Sequence, residues 1–444
     1  MTAGSAGTDA DTGTDPGADA PAPRLLGVVS QQLGVNVVTL VTGLVTGPVL
    51  ARALDPVGRG ELAAIIAPLG LAPFVLAFGL TTFSSREVAR SVSPGRVLGT
   101  FGVIALLEGL LLIVPGLALA RLLADGNDTV QRYLSVGVLI LPLTLAGAIA
   151  TAIVLGRQRW RVVSVQRLVS PLGNLLCFTL LAAIGRLTVG SAAIVVLVLS
   201  LLSVLPALRD LRGVVGIRFD RVLARSGASF GARVWLLTLS QLVNLRLDQV
   251  VLVPLASARE LGFYAVAVTV AGLPGIAATA LASAIFPRVA AGDAELAARA
   301  CRTALLTVAV LGVGGALVTP ILLPLVFGEA FRDSVGMALV LFAAGIPLAG
   351  AQVLGSAMAG TERVGRSGLG EVLAIVVTVV GLPLLVPEHG GYGAAWVSLA
   401  SYSVNFCWLL IIARGTFGGT VRSFVLVDGA DLRQVASRLR ALRR

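Results

Sequence analysis

VWLLTLSQLVNLRLDQVVLVPLA, residues 234–256, carries ionisable side chains only at Arg246 and Asp248, near its centre. A helix needs about 20 predominantly apolar residues to cross a bilayer, and this stretch supplies them. A charge at that depth costs about 2.5 kcal/mol or more, so an ionisable residue inside a span marks a candidate functional site. Here there are two, a step apart.

The rest of the chain reads the same way. Its 444 residues are 56% hydrophobic and only 13% charged, with a mean hydropathy of +0.94. A soluble domain is about half apolar and a quarter charged, so the composition implies an all-α, polytopic membrane protein. Apolar runs predict twelve spans, near residues 28–50, 62–83, 98–120, 133–155, 168–185, 187–208, 234–256, 262–286, 303–327, 335–357, 372–386 and 391–413. The expected organisation is a disordered cytoplasmic tail (1–23), a first six-helix bundle (24–208), a cytoplasmic connection with an interfacial helix (209–233), a second six-helix bundle (234–413) and a basic cytoplasmic tail with an amphipathic helix (414–444).

All 34 basic residues are arginine. The amino tail, even-numbered connections and carboxyl tail hold 26 of them and the odd connections 7; the last is Arg246. That excess places both termini in the cytoplasm and explains the net charge of +11 as a topology signal. A nucleic-acid partner needs a basic face on a soluble domain, and no connection is long enough to form one. Cys177, Cys301 and Cys407 fall in or beside spans without ligand or disulfide spacing. The single histidine, His389, lies in a short outer connection. No connection is long enough for a soluble catalytic domain either, and the expectation is a non-enzyme without metal or cofactor.

Both halves open similarly. GRGELAAIIAPLGLAP (58–73) and ARELGFYAVAVTVAGLP (258–274) start spans two and eight, and at an offset of 202 Gly60 meets Gly262 and Ala63 meets Ala265. Six spans per half is an even number, so the halves share one orientation and relate by an axis along the membrane normal, as in transporters that rock two halves about a central site. In span one, Gln32, Asn36, Thr39, Gly43 and Thr46 recur at steps of 4, 3, 4 and 3 and so share a helical face. In span seven Thr238, Gln241, Asn244 and Asp248 do the same. Tight packing of small and amide side chains explains such stripes in part; a shared water-filled cavity explains why one of them ends in a carboxylate. Glu108, Asn174, Gln352 and Asn405 are further candidates for its wall.

NLRLDQVVLVPLASARELGFYAVAVTVAGLP (244–274), IFPRVAAG (285–292) and LARALDPVGRGELAA (50–64) resemble the oligosaccharide flippases of the multidrug/oligosaccharidyl-lipid/polysaccharide exporter superfamily. The hydropathy likeness runs over roughly residues 25–415. The resemblance implies two six-helix bundles around a cavity lined by spans one, two, seven and eight. It also implies transfer of an undecaprenyl-linked oligosaccharide across the cytoplasmic membrane by alternating access, with membrane lipids, a polysaccharide polymerase and glycosyltransferases as partners. A guanidinium is a permanent, bidentate donor for a pyrophosphate, which makes Arg246 the first candidate for that contact. Arg52, Arg59 and Arg288 are further candidates, each equally readable as an ordinary interfacial arginine. Asn244, Gln241, Asp248, Asn36 and Gln32 suit sugar hydroxyls. Asp248 or Glu108 is a candidate for proton coupling, or for holding the fold beside an arginine.

Geometry separates the central pair. At 100° per residue, positions two apart lie about 200° around a helix, so Arg246 and Asp248 are not one intrahelical ion pair. Asp248 shares the stripe of Gln241 and Asn244, which places it on the expected cavity wall. A drug or metabolite exporter or a lipid-linked peptidoglycan precursor flippase of the same superfamily remains an alternative, as does a membrane-embedded enzyme or scaffold.

Overall fold

The computed structural model describes residues 22–76, 79–290, 294–359, 364–418 and 420–426. The described residues form helices and connecting turns, with no strand among them. In hydrocarbon a helix satisfies its own backbone groups, which is what so apolar a chain requires. The helices are α1 (Ala22–Leu76), α2 (Leu80–Ala89), α3 (Pro94–Val97), α4 (Val103–Leu111), α5 (Ile113–Ala124), α6 (Asp128–Gly156), α7 (Trp160–Ala183), α8 (Val189–Leu202) and α9 (Leu205–Asp210) in the first half. The second half holds α10 (Arg221–Leu255), α11 (Ala258–Ala271), α12 (Gly275–Ala290), α13 (Ala294–Phe327), α14 (Ser334–Ala359), α15 (Val364–Phe417) and α16 (Val421–Val425).

Eight of these described stretches are long and apolar enough to cross a membrane, and the pair α11–α12, bent by 54°, adds a ninth. Two of the eight are double. α1 breaks at Asp55 (φ 55°, ψ 175°) and α15 at Gly390 (φ 55°, ψ −137°), so each is two spans joined by a sharp turn. Asp55 precedes Pro56, a position that steric clash pushes out of the helical region; Gly390 adopts a positive φ without a Cβ penalty. With α10, which carries 234–256, the chain has the twelve expected spans.

The first difference from expectation lies at 209–233. No separate interfacial helix spans it: α9 ends at Asp210, and α10 starts at Arg221 and runs on through the seventh span. Asp220 is the N-cap, accepting from Val222 N at 2.9 Å and Leu223 N at 3.0 Å. It also pairs with Arg96, whose Nε lies 3.1 Å from Oδ2, and donates its backbone N–H to Thr100 Oγ1 at 3.0 Å. The Arg96 guanidinium beside it, followed by the N-cap bonds, holds the Asp220 carboxyl below the usual carboxylate range. Phe230 packs on Phe83 (centroids 5.3 Å apart) and under Arg86 (4.8 Å), so the start of α10 is docked onto the first half. Of the two predicted tails, 1–23 lies outside the described residues apart from Ala22 and Pro23, and 414–444 is described only at 414–418 and 420–426, so its expected amphipathic helix lies outside them.

The buried apolar residues fall into three clusters. One joins both halves at the end bearing Asp55 and Gly390, bringing Leu62 and Ile65 of α1 together with Leu261 and Tyr264 of α11 and Leu382 of α15. Toward the other end the core divides into one cluster per half, around Phe101 and Ile153 in the first and Cys301 and Leu354 in the second. The molecule is therefore fused at one end and split at the other.

The fusion rests on two glycines. A Cβ on Gly60 would lie 1.6 Å from Ala258 O, and one on Gly262 would lie 2.0 Å from Pro56 O. Only glycine permits backbones this close. These are the two residues equated by the 202-residue offset, and equivalent residues that touch lie on the axis relating them.

Candidate functional site

Immediately below the Gly60–Gly262 crossing lies a cavity of about 800 Å³ between the halves. Each half contributes equivalent positions: Ala63, Ile66, Ala67 and Gly70 from α1, and Ala265, Val268 and Thr269 from α11 with Gly272 at its C-cap, all related by the same offset of 202. Of the pairs that made the repeat visible, Ala63 and Ala265 line this space, while Gly60 and Gly262 lie at the crossing beside it. Its polar groups are Arg59, Gln249, Thr269, Thr279, Gln352 and Tyr402; Thr279 Oγ1 lies 3.3 Å from Gln352 Oε1. No acidic residue is among the described lining residues.

Arg59 is the distinctive group. It lines both this cavity and an adjoining one of about 370 Å³ formed with Thr39, Gly43 and Thr46. Its Nε is buried and has no hydrogen-bond partner among the described residues. An unpaired donor on a buried cation is expensive, so the site is built for something that accepts.

Asp248 is placed differently from expectation. It is 5% exposed and not on the cavity wall, which its neighbour Gln249 lines instead. Tyr264 of α11 donates its hydroxyl to Asp248 Oδ2 at 2.5 Å and lies 3.0 Å from Ser398 Oγ of α15. Oδ1 accepts from Gln249 N at 2.8 Å. A buried carboxylate requires donors, and Tyr264 on the neighbouring helix offers one, which turns Asp248 into the second half. The side chains of Gln241, Asn244, Arg246 and Arg288 lie outside the described residues, although the backbones are helical in α10 and α12.

The span-one stripe divides. Thr39, Gly43 and Thr46 share the smaller cavity with Arg59. Gln32 instead turns to α7, donating to Ser164 Oγ at 3.3 Å and accepting from Arg167 Nη1 at 3.3 Å; Asn36, a turn later, is exposed. Glu108 sits on α4, part-buried and outside both cavities. Arg52 reaches across the fused end and caps α13, donating to Leu325 O at 2.5 Å and Val326 O at 3.0 Å. Gln352 lines the cavity as expected, whereas Asn174 and Asn405 do not. His389 is exposed beside the Gly390 turn, and no metal-ligand cluster occurs among the described residues.

Sequence reasoning did not give weight to Tyr264, Ser398, Gln249 or Tyr402, and ranked Arg59 below Arg246. Arg59 had a usable signal: its equivalent at the 202 offset is Leu261, so a cation stands beside the Gly60–Gly262 match where the other half has an apolar residue.

Twelve spans in two like-oriented halves, fused at one end over a central cavity, define the fold of the multidrug/oligosaccharidyl-lipid/polysaccharide superfamily. Solved structures agree on the fold. A lipid II flippase, MurJ, in an inward closed conformation aligns with a TM-score of 0.71 at 12% identity, covering 89% of each chain. An inward-facing MATE family multidrug resistance transporter aligns at 0.65 with 15% identity, over 86% of this chain and 94% of its own. The MATE multidrug transporter DinF-BH aligns at 0.60 with 15% identity, over 92% and 97%. No curated protein matches the sequence. The polysaccharide biosynthesis protein family matches residues 29–292, more than half of the chain, and the chain belongs to that family.

Proposed function

We propose that this protein moves an undecaprenyl-(pyro)phosphate-linked oligosaccharide from the inner to the outer leaflet of a bacterial cytoplasmic membrane, by alternating access, for cell-surface polysaccharide synthesis. The observation that carries the reading is Arg59, a cation with a buried, unpartnered Nε in a central cavity whose described walls hold no acid. A guanidinium there suits a pyrophosphate. An exporter of cationic drugs would place a carboxylate in the same space. Gln249, Gln352, Thr269 and Thr279 then face sugar hydroxyls, and Arg246 is a second candidate for the pyrophosphate.

The arginine asymmetry supports cytoplasmic termini, which puts the fused end outside and makes the arrangement inward-facing. Asp248, one residue from the wall and bonded to Tyr264, is the candidate through which protonation is coupled to movement; Glu108 is the other. A peptidoglycan precursor flippase shares the pyrophosphate chemistry and differs in the sugar. The deciding experiment reconstitutes the protein in liposomes with an undecaprenyl-pyrophosphate saccharide. Translocation by wild type, lost in Arg59→Gln and partly kept in Arg59→Lys, is the expected result; folded wild-type protein that moves none overturns the reading.

A further inference from the structure

A second cavity, of about 740 Å³, lies wholly within the first half, between the second limb of α1 and helices α2, α6, α7 and α8. That is the size of ordinary small-molecule sites, roughly 300–1,000 Å³. Besides Arg167, Thr81, Thr82 and Ser85, its polar lining holds four hydroxyls whose protons are already committed and one amide. Thr144 and Thr151 donate their hydroxyl protons to Leu141 O and Gly147 O of α6, each at 2.9 Å. Ser200 and Ser203 donate theirs to Leu197 O and Ser200 O of α8, each at 2.7 Å. A hydroxyl whose proton is so used still presents lone pairs, so Thr144, Ser200 and Ser203 keep acceptor capacity, while Thr151 accepts from Gln166. Gln166 gives Nε2 to Thr151 at 2.6 Å, leaving Oε1 buried without a partner among the described residues.

We infer that this cavity is a saccharide subsite: its acceptors take the O–H donors of a sugar while the lipid-linked phosphates occupy the central cavity. An acyl chain brings neither donors for these acceptors nor acceptors for Arg167. An ammonium ligand brings donors but meets the guanidinium of Arg167 in the wall. The two cavities adjoin at α1: Ile66 and Gly70 line both, and Gly70 puts no side chain into the space beside it. The inference rests on the pyrophosphate reading above and extends it to the sugar.

The test compares binding of two probes to the full chain in nanodiscs: undecaprenyl pyrophosphate, and undecaprenyl pyrophosphate bearing one N-acetylglucosamine. Wild type is expected to bind the glycosylated probe about tenfold more tightly, as one or two additional hydrogen bonds provide. Gln166→Leu with Thr144→Val is expected to reduce that ratio to about threefold or less, while the bare lipid binds as before. A wild-type ratio of one, or a ratio kept in the double variant, overturns the saccharide subsite. Failure of folded wild type to bind the bare lipid overturns the pyrophosphate reading instead, and both fall if neither probe binds. Because the double variant is read as a ratio within one protein preparation, lost stability alone does not imitate the expected result.

Discussion

Adding one methyl group at the Gly60–Gly262 crossing tests whether the fused end is a gate. In Gly60→Ala the new carbon falls 1.6 Å from Ala258 O, against the 3.0 Å that real Cβ contacts respect, so the helices must part by about 1.4 Å or more. The obstacle is backbone, so no rotamer relieves it. Overpacking of this kind costs about 1–3 kcal/mol. If the opposite state of the transporter separates α1 from α11, that cost falls on the fused state alone and shifts the balance about 5–150-fold toward opening. The assay uses a background with Cys177, Cys301 and Cys407 replaced and a cysteine at Thr269 in the cavity wall. An impermeant maleimide is applied from the Asp55 side. Labelling should accelerate by a factor in that range in Gly60→Ala and in Gly262→Ala, but not in Gly314→Ala, where a Cβ meets nothing within 4 Å. Unchanged labelling in a protein of unchanged thermal stability would refute the gate.

Three further outcomes are expected. Tyr264→Phe removes the donor 2.5 Å from Asp248 and should destabilise the detergent-solubilised protein by about 1–3 kcal/mol; an unchanged midpoint in thermal unfolding contradicts the network. Asp248→Asn should alter the pH profile of transport, and an identical profile leaves Asp248 as a wall-bracing acceptor. For Asp220, whose folded pKa is depressed by Arg96, the stabilisation is complete above the unfolded value near 3.9 and is lost as pH falls through the folded value. The segment 214–223 should therefore stay protected from hydrogen exchange from pH 5 to 8 and loosen below about pH 4, and in Arg96→Ala it should be loosened throughout; equal protection in the two proteins would contradict the pairing.

Much of the architecture is legible in the chain because the bilayer leaves few choices. Runs of about 20 apolar residues locate the spans. The offset that equates Gly60 with Gly262 rests on few identities, yet it identifies the residues in contact at the axis. The candidate site was less legible. Helical periodicity assigns a face but not a neighbour, so it could not show that Tyr264 and Ser398 draw Asp248 away from the cavity that Gln249 lines. Gln32 follows the same rule: the stripe is real, but Ser164 and Arg167 of α7 claim its lower end. The value of Arg59 depends on the absence of partners around its Nε, a property of the assembled helices that no spacing expresses.

Contact between two equivalent residues is the signature of an isologous interface, in which a patch meets its own copy. The Gly60–Gly262 crossing therefore has the form of a parallel homodimer contact between two six-span subunits, now covalently joined. In such a dimer every charge on one side of the cavity would be repeated on the other, and two guanidiniums would face each other across a small space. Joining the copies frees the positions to differ, and they do: Arg59 stands where its counterpart is Leu261, buried to 2% exposure. One chain can thus hold a single positive charge close to a symmetry axis, an arrangement that identical subunits cannot make.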